Sequence, residues 1–394
     1  MMSTTKKTVG VIFGSRTVEH DVSIVTAQQV MQALSPQKYE IVPVYITRDG
    51  KWITGDALRD LKNFQNDNLT ELMGIKETSL APDTQYRGLI TPPIAGRFGK
   101  NQVQKLDVVF PVLHGTHGED GTLQGLLELA DLPYVGAGVM AAAVSRDKGM
   151  LKAVLSYHGI PVIKHVMIAR HEWIANANAV LERIASTLTY PVFVKPATLG
   201  SSVGVARAAD ADQARNYINV AANFDRRILV ENAVEGAIEI NCAVLGNTEI
   251  KPSVLEQPIS LEEFLTYEEK YMRTEGPAGM KGADRKIPAP ISDELTQRIQ
   301  QMAVEAFKAV DGRGTARVDF LVREDADEVY LNEINMIPGS LAFYLWQESG
   351  MTAGEVVDRL IELAFDAHAE KRKTMYNYKT NLLAHAAARG LKGM

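Results

Sequence analysis

The segments Gly314-Thr-Ala-Arg-Val-Asp-Phe-Leu-Val322 and Tyr330-Leu-Asn-Glu-Ile-Asn-Met-Ile-Pro-Gly339 constrain this chain more than any other part of it. In each, apolar residues alternate with polar ones, the spacing of a β-strand whose side chains leave opposite faces in turn. Arg317 and Asp319 therefore share one face of the first strand, and Glu333 and Asn335 share one face of the second. An ordinary wet face accounts for either strand alone. Both together, closed by an Asn-x-x-Pro-Gly turn at Gly339, converge as a chemical face, and the carboxylates and the amide suit a hard cation such as Mg²⁺ beside phosphate oxygens.

With 394 residues the chain is long enough for two or three domains, each with its own core. Apolar residues make up 46% and charged residues 23%, a soluble globular balance. The net charge of −6 provides no basic field, so nucleic acid and anionic membranes are not expected partners, and a nucleotide would have to be held by local cations. Cys242 is the single cysteine, which excludes an intramolecular disulfide and a multi-cysteine metal site. Its apolar setting predicts a buried strand position. The start runs directly into the strand-like Thr8-Val-Gly-Val-Ile-Phe13, and no apolar run approaches membrane-spanning length. A cytoplasmic protein is expected.

Alternating signals organise the chain. Thr8 to Phe13, then Glu19 to Leu34, reads as strand and helix, and the runs Val42 to Ile46 and Val108 to Val112 read as buried strands. That order predicts an open α/β unit with a parallel sheet. Residues 60–105, rich in Asn, Pro and Gly, read as a loose surface insertion. Further on, a helix over Ala141 to Tyr157 precedes short strands at Val162 to Ile168 and Val192 to Lys195, separated by a helix from His171 to Leu188. Strands recur at Arg227 to Val230, Glu239 to Leu245, Arg317 to Val322 and Val329 to Glu333, with a helix over Ser292 to Val310. These predict an α+β body of mostly antiparallel sheets. Residues 258–290 read as a long loop, and the segment from about Asp366 as a basic, solvated helical tail.

Two lysine motifs accompany the hairpin. Val192-Phe-Val-Lys-Pro196 places Lys195 at a strand end just before Leu199-Gly-Ser-Ser-Val-Gly204, whose small residues let backbone N–H groups approach phosphate oxygens. Ser145-Arg-Asp-Lys148 supplies a second candidate lysine. A glycine-rich turn and a surface lysine also have plain structural readings. Glu231 and Glu239 resemble a hinge at which one carboxylate meets an adenine amino group and the other a ribose.

Taken together, Lys148, Phe193-Val-Lys195, Gly200-Ser-Ser-Val-Gly204, Glu231, Glu239, Arg317-Val-Asp319 and Glu333-Ile-Asn335 resemble the ATP-grasp fold, and within it the D-alanine–D-alanine ligase family. Val18-Glu-His-Asp-Val-Ser23 is similar to that family's first-substrate motif. Leu113-His-Gly-Thr-His-Gly-Glu-Asp-Gly-Thr-Leu-Gln-Gly125 is similar to its second signature, and Tyr267-Glu-Glu-Lys-Tyr271 resembles its closing loop. The resemblance runs from Val9 to about Leu363. It implies an α/β plus α+β architecture: an N-terminal domain over residues 1–136, and antiparallel domains over 137–231 and 232–365 that sandwich ATP. A tail over 366–394 follows.

The roles it implies are these. Lys148, Lys195 and Lys270 contact phosphates, covered by the backbone of Ser201, Ser202 and Val203, while Glu231, Glu239 and Asn332 line the nucleotide site. Asp319, Glu333 and Asn335 hold two Mg²⁺ ions, or Mn²⁺. Glu19 pairs with the ammonium of the first amino acid beside His114; Glu19, Ser201 and Tyr271 close the loop; Arg317 and the Gly339 N–H stabilise the oxyanion. The activity implied is ATP-dependent joining of D-alanine to D-alanine through an acylphosphate, for peptidoglycan precursors, by a cytoplasmic homodimer acting on small molecules.

The chain departs from that pattern after Gly339, where Pro338-Gly-Ser-Leu-Ala-Phe-Tyr-Leu-Trp346 reaches its Leu-Trp about four residues early by comparison with the family; Thr266 and Met336 also differ from the usual residues. Ser340 and Leu341 are the candidates for holding the second substrate. The departure keeps open a ligase that couples D-alanine to a different amine or to a hydroxy acid such as D-lactate. A nucleotide-binding regulator without turnover is the alternative from another class.

Overall fold

The structure, a computed structural model, describes residues 6–65, 68–92, 94, 100–259 and 285–389. The N-terminal unit comprises β1 (Lys7–Gly14), α1 (His20–Ala33), β2 (Tyr39–Ile46), β3 (Trp52–Thr54), β4 (Lys76–Glu77), β5 (Ser79–Leu80), β6 (Gly88–Thr91), β7 (Gln102–Lys105), β8 (Val108–Pro111) and α2 (Thr122–Leu129). Its main sheet has the order β4-β3-β2-β1-β8. β1 runs parallel to β2 and β8, as the alternation predicts, but β3 and β4 extend the edge antiparallel. β1 is apolar throughout because its two faces feed two cores: Val9, Val11 and Phe13 meet Ile24, Ala27 and Met31 of α1, whereas Ile12 meets Leu113, Leu123 and Leu127. The segment 60–105 is more ordered than its composition suggests. Short 3₁₀ turns and an antiparallel sheet of β5, β6 and β7 anchor it through the buried Leu69, Leu80 and Leu89.

The second unit comprises α3 (Val139–Arg146), α4 (Lys148–Tyr157), β9 (His165–Ala169), α5 (Arg170–Ala175), α6 (Ala177–Thr187), β10 (Val192–Pro196), β11 (Ala206–Ala208), α7 (Ala211–Phe224) and β12 (Arg227–Asn232). Both helices expected here from apolar spacing are broken by N-cap residues. The Asp147 carboxylate accepts from the N–H groups of Gly149 and Met150, each at 3.0 Å, and the Asn176 side chain accepts from Ala179 at 3.1 Å. The antiparallel sheet β11-β10-β12-β9 packs on α6 and α7 through Val180, Ile184, Ile218 and Ala221.

The third unit holds β13 (Ile238–Gly246), β14 (Ile250–Pro258), β15 (Arg285–Lys286), α8 (Asp293–Ala309), β16 (Gly314–Arg323) and β17 (Glu328–Asn335). Its antiparallel sheet has the order β15-β14-β13-β16-β17. One face, with Ile240, Cys242, Val244, Val318 and Phe320, packs on Ile299, Ala303 and Phe307 of α8. Cys242 is buried there, and burial pushes its thiol up to about 12, consistent with a structural rather than a nucleophilic cysteine.

The chain then returns to the N-terminal unit. α9 (Phe343–Glu348) and α10 (Ala353–Lys371) bury Leu345, Trp346, Val356 and Leu360 in the same core as α1 and β1. Residue 366 is therefore not a boundary: α10 continues unbroken to Lys371, and α11 (Leu382–Arg389) follows, with Leu382 and Leu383 exposed. Among the described residues no helix is long and apolar enough to cross a membrane.

Candidate active site

The second and third units enclose a cavity of about 440 Å³, lined by Lys148, Lys195, Glu231, Glu239, Asn332 and Glu333 among others. Strand register builds one wall. Glu256, Asn241, Asp319 and Glu333 lie opposite one another across β14, β13, β16 and β17, and Arg317 lies opposite Asn335. Cross-strand partners share a face, so the residues picked out by alternation do converge. Arg317 holds Asp319 bidentately, Nε to Oδ1 and Nη2 to Oδ2, each at 2.7 Å. Asn335 Nδ2 donates to Asp319 Oδ2 at 2.9 Å and to Glu333 Oε1 at 3.5 Å. Burial, opposed by Arg317 and reinforced by the charge of Glu333, raises the Asp319 carboxyl to about 7. Two carboxylates that resist ionising together make a site a divalent cation would relieve.

The opposite wall carries the lysines. Lys148, at the start of α4, donates to the Leu199 carbonyl at 2.7 Å and lies 3.7 Å from Glu333. Lys195 lies 2.5 Å from Glu231 and 3.4 Å from the Asn332 side-chain oxygen. Glu231 also lies 2.8 Å from Lys152. Burial alone would raise the Glu231 carboxyl, but Lys152 and Lys195 together bring it down to about 2. Both of its oxygens are thus engaged by lysines. Ser201 and Ser202 adopt left-handed conformations (φ 53° and 59°) and line the cavity, whereas the Val203 N–H donates to the Gly200 carbonyl and Val203 is not brought to the cavity wall.

The N-terminal unit closes one end. Ser201 Oγ donates to Glu19 Oε1 at 2.5 Å, and Arg146 bridges Glu19 at 3.2 Å and Glu119 at 3.3 Å. Glu119 also accepts from the N–H groups of Gly115 at 2.8 Å and Ile337 at 3.2 Å, fastening the Pro-Gly turn to the N-terminal unit. Gly115, at φ +77°, leaves no room for a Cβ, which would stand 2.5 Å from the Glu19 carboxylate. His114 is buried with Nε2 3.0 Å from Thr26 Oγ1, and burial lowers its pKa to about 4, so its ring is neutral. The sequence motifs assign no role to Arg146, Glu119 or Lys152, although Arg146 and Glu119 stand inside Ser145-Arg-Asp-Lys148 and Leu113-His-Gly-Thr-His-Gly-Glu-Asp-Gly-Thr-Leu-Gln-Gly125. Lys270 and Tyr271 lie outside the described residues.

After Gly339, whose Cα faces open space, the chain takes three consecutive left-handed residues, Ser340, Leu341 and Ala342. The Ser340 N–H donates to Thr26 Oγ1 at 3.3 Å and the Leu341 N–H to the Pro338 carbonyl at 2.8 Å, with the Leu341 side chain in the N-terminal core.

Residues 8–137 match the D-ala D-ala ligase N-terminus and residues 154–362 the D-ala D-ala ligase C-terminus. A D-alanine–D-alanine ligase of Geobacillus thermodenitrificans is 39% identical over 378 residues, covering 95% of this chain and 100% of that protein. This chain belongs to the D-alanine–D-alanine ligase family. The solved D-alanine–D-alanine ligase from Coxiella burnetii superposes with a TM-score of 0.78 at 30% identity, covering 98% of this chain and 99% of that one. The VanG D-Ala:D-Ser ligase from Enterococcus faecalis superposes equally well, with a TM-score of 0.78 at 31% identity over 91% of this chain and 99% of that one. The ATP-grasp architecture is therefore that of the family. D-alanine–D-alanine ligases are ATP-dependent and use a divalent cation, and the lysine wall facing the carboxylate wall fits both requirements.

Proposed function

We propose that this chain is an ATP- and Mg²⁺-dependent D-alanine–D-alanine ligase that forms its dipeptide through an acylphosphate for peptidoglycan precursors. The observation that carries this reading is the sheet face of Arg317, Asp319, Glu333 and Asn335, whose Glu333 lines one cavity with Lys148 and Lys195 and lies 3.7 Å from Lys148. Phosphoryl transfer needs positioning and charge neutralisation more than covalent help from the protein, and these residues supply both. When bound, two Mg²⁺ ions held by Asp319, Glu333 and Asn335 would neutralise the phosphates. Lys148 and Lys195 add fixed positive charge from the other wall. Ser201 and Ser202 cover the phosphates, while Glu239 and Asn332 sit toward the nucleoside. Glu231 contacts the nucleotide edge of the cavity and holds Lys195 in place.

Glu19, anchored by Ser201 and Arg146, receives the ammonium of the first D-alanine beside the neutral His114. The carboxylate of that D-alanine takes the γ-phosphoryl group of ATP, releasing ADP; the amine of the second amino acid then attacks the acyl carbon, and Arg317 with the Gly339 N–H stabilises the oxyanion before phosphate leaves. The three units work as one body in a cytoplasmic homodimer, with α9 and α10 packed back onto the first. A second reading keeps the donor half and changes the acceptor. It is favoured by the backbone donors of Ser340 and Leu341, which are already bonded within the protein.

A coupled ADP-release assay with D-alanine, alone and with other D-amino acids or D-lactate, tests both readings, with products weighed by mass spectrometry. D-alanyl-D-alanine from D-alanine alone is expected; turnover only with another acceptor selects the second reading, and no ADP release with any of them removes both. Arg317→Ala is expected to lower kcat about 10²–10³-fold, since an oxyanion donor acts in the transition state, with ATP binding kept.

A further inference from the structure

We propose that Arg285 binds the α-carboxylate of the incoming amino acid, and that Glu256 and Tyr344 are the residues that position it. The inference rests on the ligase reading and deepens it at the acceptor end. Glu256 occupies the outer place in the polar row Glu256, Asn241, Asp319 and Glu333, two strands away from Asp319, roughly 10 Å by ordinary strand spacing. Its carboxylate is buried, yet nothing in the phosphoryl-transfer step uses it. One oxygen, Oε1, accepts from the Tyr344 hydroxyl at 2.5 Å and from Asn241 Nδ2 at 3.1 Å. The other, Oε2, is buried without a hydrogen bond and stands 3.4 Å from a guanidinium nitrogen of Arg285.

Arg285 is therefore held on two sides. Its guanidinium stacks over the Tyr344 ring, 4.1 Å from the centroid, while one edge faces Glu256. Its side chain keeps 31% of its exposure, against 3% for that of Glu256. A planar guanidinium braced by a ring and a carboxylate and still part-exposed suits a second carboxylate, which a guanidinium binds by two parallel N–H donors.

Location ties this group to the reaction. Tyr344 stands in α9, immediately after the three left-handed residues that follow Gly339. Its hydroxyl lies within the electrostatic reach of both Arg317 and Arg285, and Arg317 feels both Tyr344 and Glu256. The acceptor's amine must reach the acyl carbon at Arg317, so its other end extends along Tyr344 toward Arg285. The shortened segment after Gly339 brings Tyr344 to this place while spending the backbone donors of Ser340 and Leu341 elsewhere. A carboxylate clamp moved from that segment to β15 accounts for both.

Competition between D-alanine and D-alaninamide as acceptors, with D-alanine as donor and both products weighed by mass spectrometry, tests this. The product ratio is internal to each reaction and does not depend on how much enzyme survives folding. The wild type is expected to favour the free acid by about tenfold or more, and Arg285→Ala to bring the ratio near unity while raising the acceptor KM about tenfold, with the ATP KM unchanged. Arg285→Lys, which keeps the charge without the fork, should fall between. Glu256→Gln, which loosens Arg285 without removing it, should shift the ratio in the same direction. An unchanged ratio in both Arg285→Ala and Glu256→Gln overturns the proposal while the ligase reading stands. Absence of any dipeptide or ADP from the wild type overturns the ligase reading and this assignment with it.

Discussion

Glu231 shows at the scale of one residue how charge counting decides what a buried group can do. It faces two ammonium groups, Lys152 and Lys195, in a fully buried setting. Lys152→Met removes one cation and leaves a balanced Glu231–Lys195 pair, so its stability cost should be small. Glu231→Gln leaves two buried ammoniums with no counter-charge and should cost about 3–5 kcal/mol, read by urea unfolding at neutral pH. The sign with pH follows. The Glu231 carboxyl is depressed from 4.5 to about 2 in the fold, so its contribution is present above 4.5 and lost as pH falls from there toward 2. His114 acts earlier: a neutral ring held at about 4 against an ordinary 6.5 loses stability as pH falls between those values. His114→Asn should flatten that upper part of the acid unfolding curve by up to about 3 kcal/mol, and an unchanged curve would show that His114 ionises freely in the folded protein.

Among elements, the break at Asp147 matters most, because α4 begins with Lys148. Asp147 caps α4 and also pairs with Arg227 at the end of the facing strand β12. Asp147→Ala should cost about 1 kcal/mol for the cap and raise the ATP KM by displacing Lys148, whereas Asp147→Ser, which caps as well, should recover the melting temperature but not the pairing with Arg227. The sequence did not reveal this break, nor that at Asn176, because apolar spacing continues across both and only the cap side chains end the first helix. Strands β9, β10, β12, β13, β16 and β17 were legible because alternate residues face a core on one side and the cavity side on the other, whereas the short β11 and β15 were not, β15 lying within the stretch 258–290 that reads as a loop. α7 and β14 were not, since α7 buries only Ala214, Ile218 and Ala221, and β14 mixes buried and half-buried positions without a clean period. The candidate site divides the same way. Hairpin positions such as Asp319 and Glu333 are fixed by local alternation. Arg146 has its partners at Glu19 and Glu119, far away in sequence, and nothing in its neighbours signals them.

For the whole molecule, the decisive feature is that the chain's last long helix belongs to its first domain. α10 packs Val356, Leu360 and Ile361 into the core shared by α1 and β1, and its last two turns form a polar latch to the N-terminal unit. His368 Nε2 lies 2.9 Å from Asp131, which also pairs with Arg87, and Lys371 pairs with Glu128. Arg313, just before β16, joins the same cluster, donating to the Tyr134 hydroxyl at 2.6 Å and stacking over the Tyr134 ring at 5.0 Å. Arg313 thereby ties the third unit to the first, and Glu119 adds a second tie through the Ile337 N–H and one to the second unit through Arg146. Composition alone draws the boundary of the basic tail at 366 and so treats this latch as dispensable. A chain ending after Lys373 keeps every one of these contacts and should melt like the full-length protein. A chain ending after Phe365 loses His368 and Lys371 together with the last turns of α10, leaving Asp131 with Arg87 and Glu128 with Arg313 and the Tyr134 hydroxyl. It should melt several degrees lower, with the ATP KM the less affected because Lys148 and Lys195 belong to the second unit. Equal melting temperatures for the two truncations would mean that His368 and Lys371 add nothing measurable to what the apolar part of α10, Arg313 and Glu119 already hold.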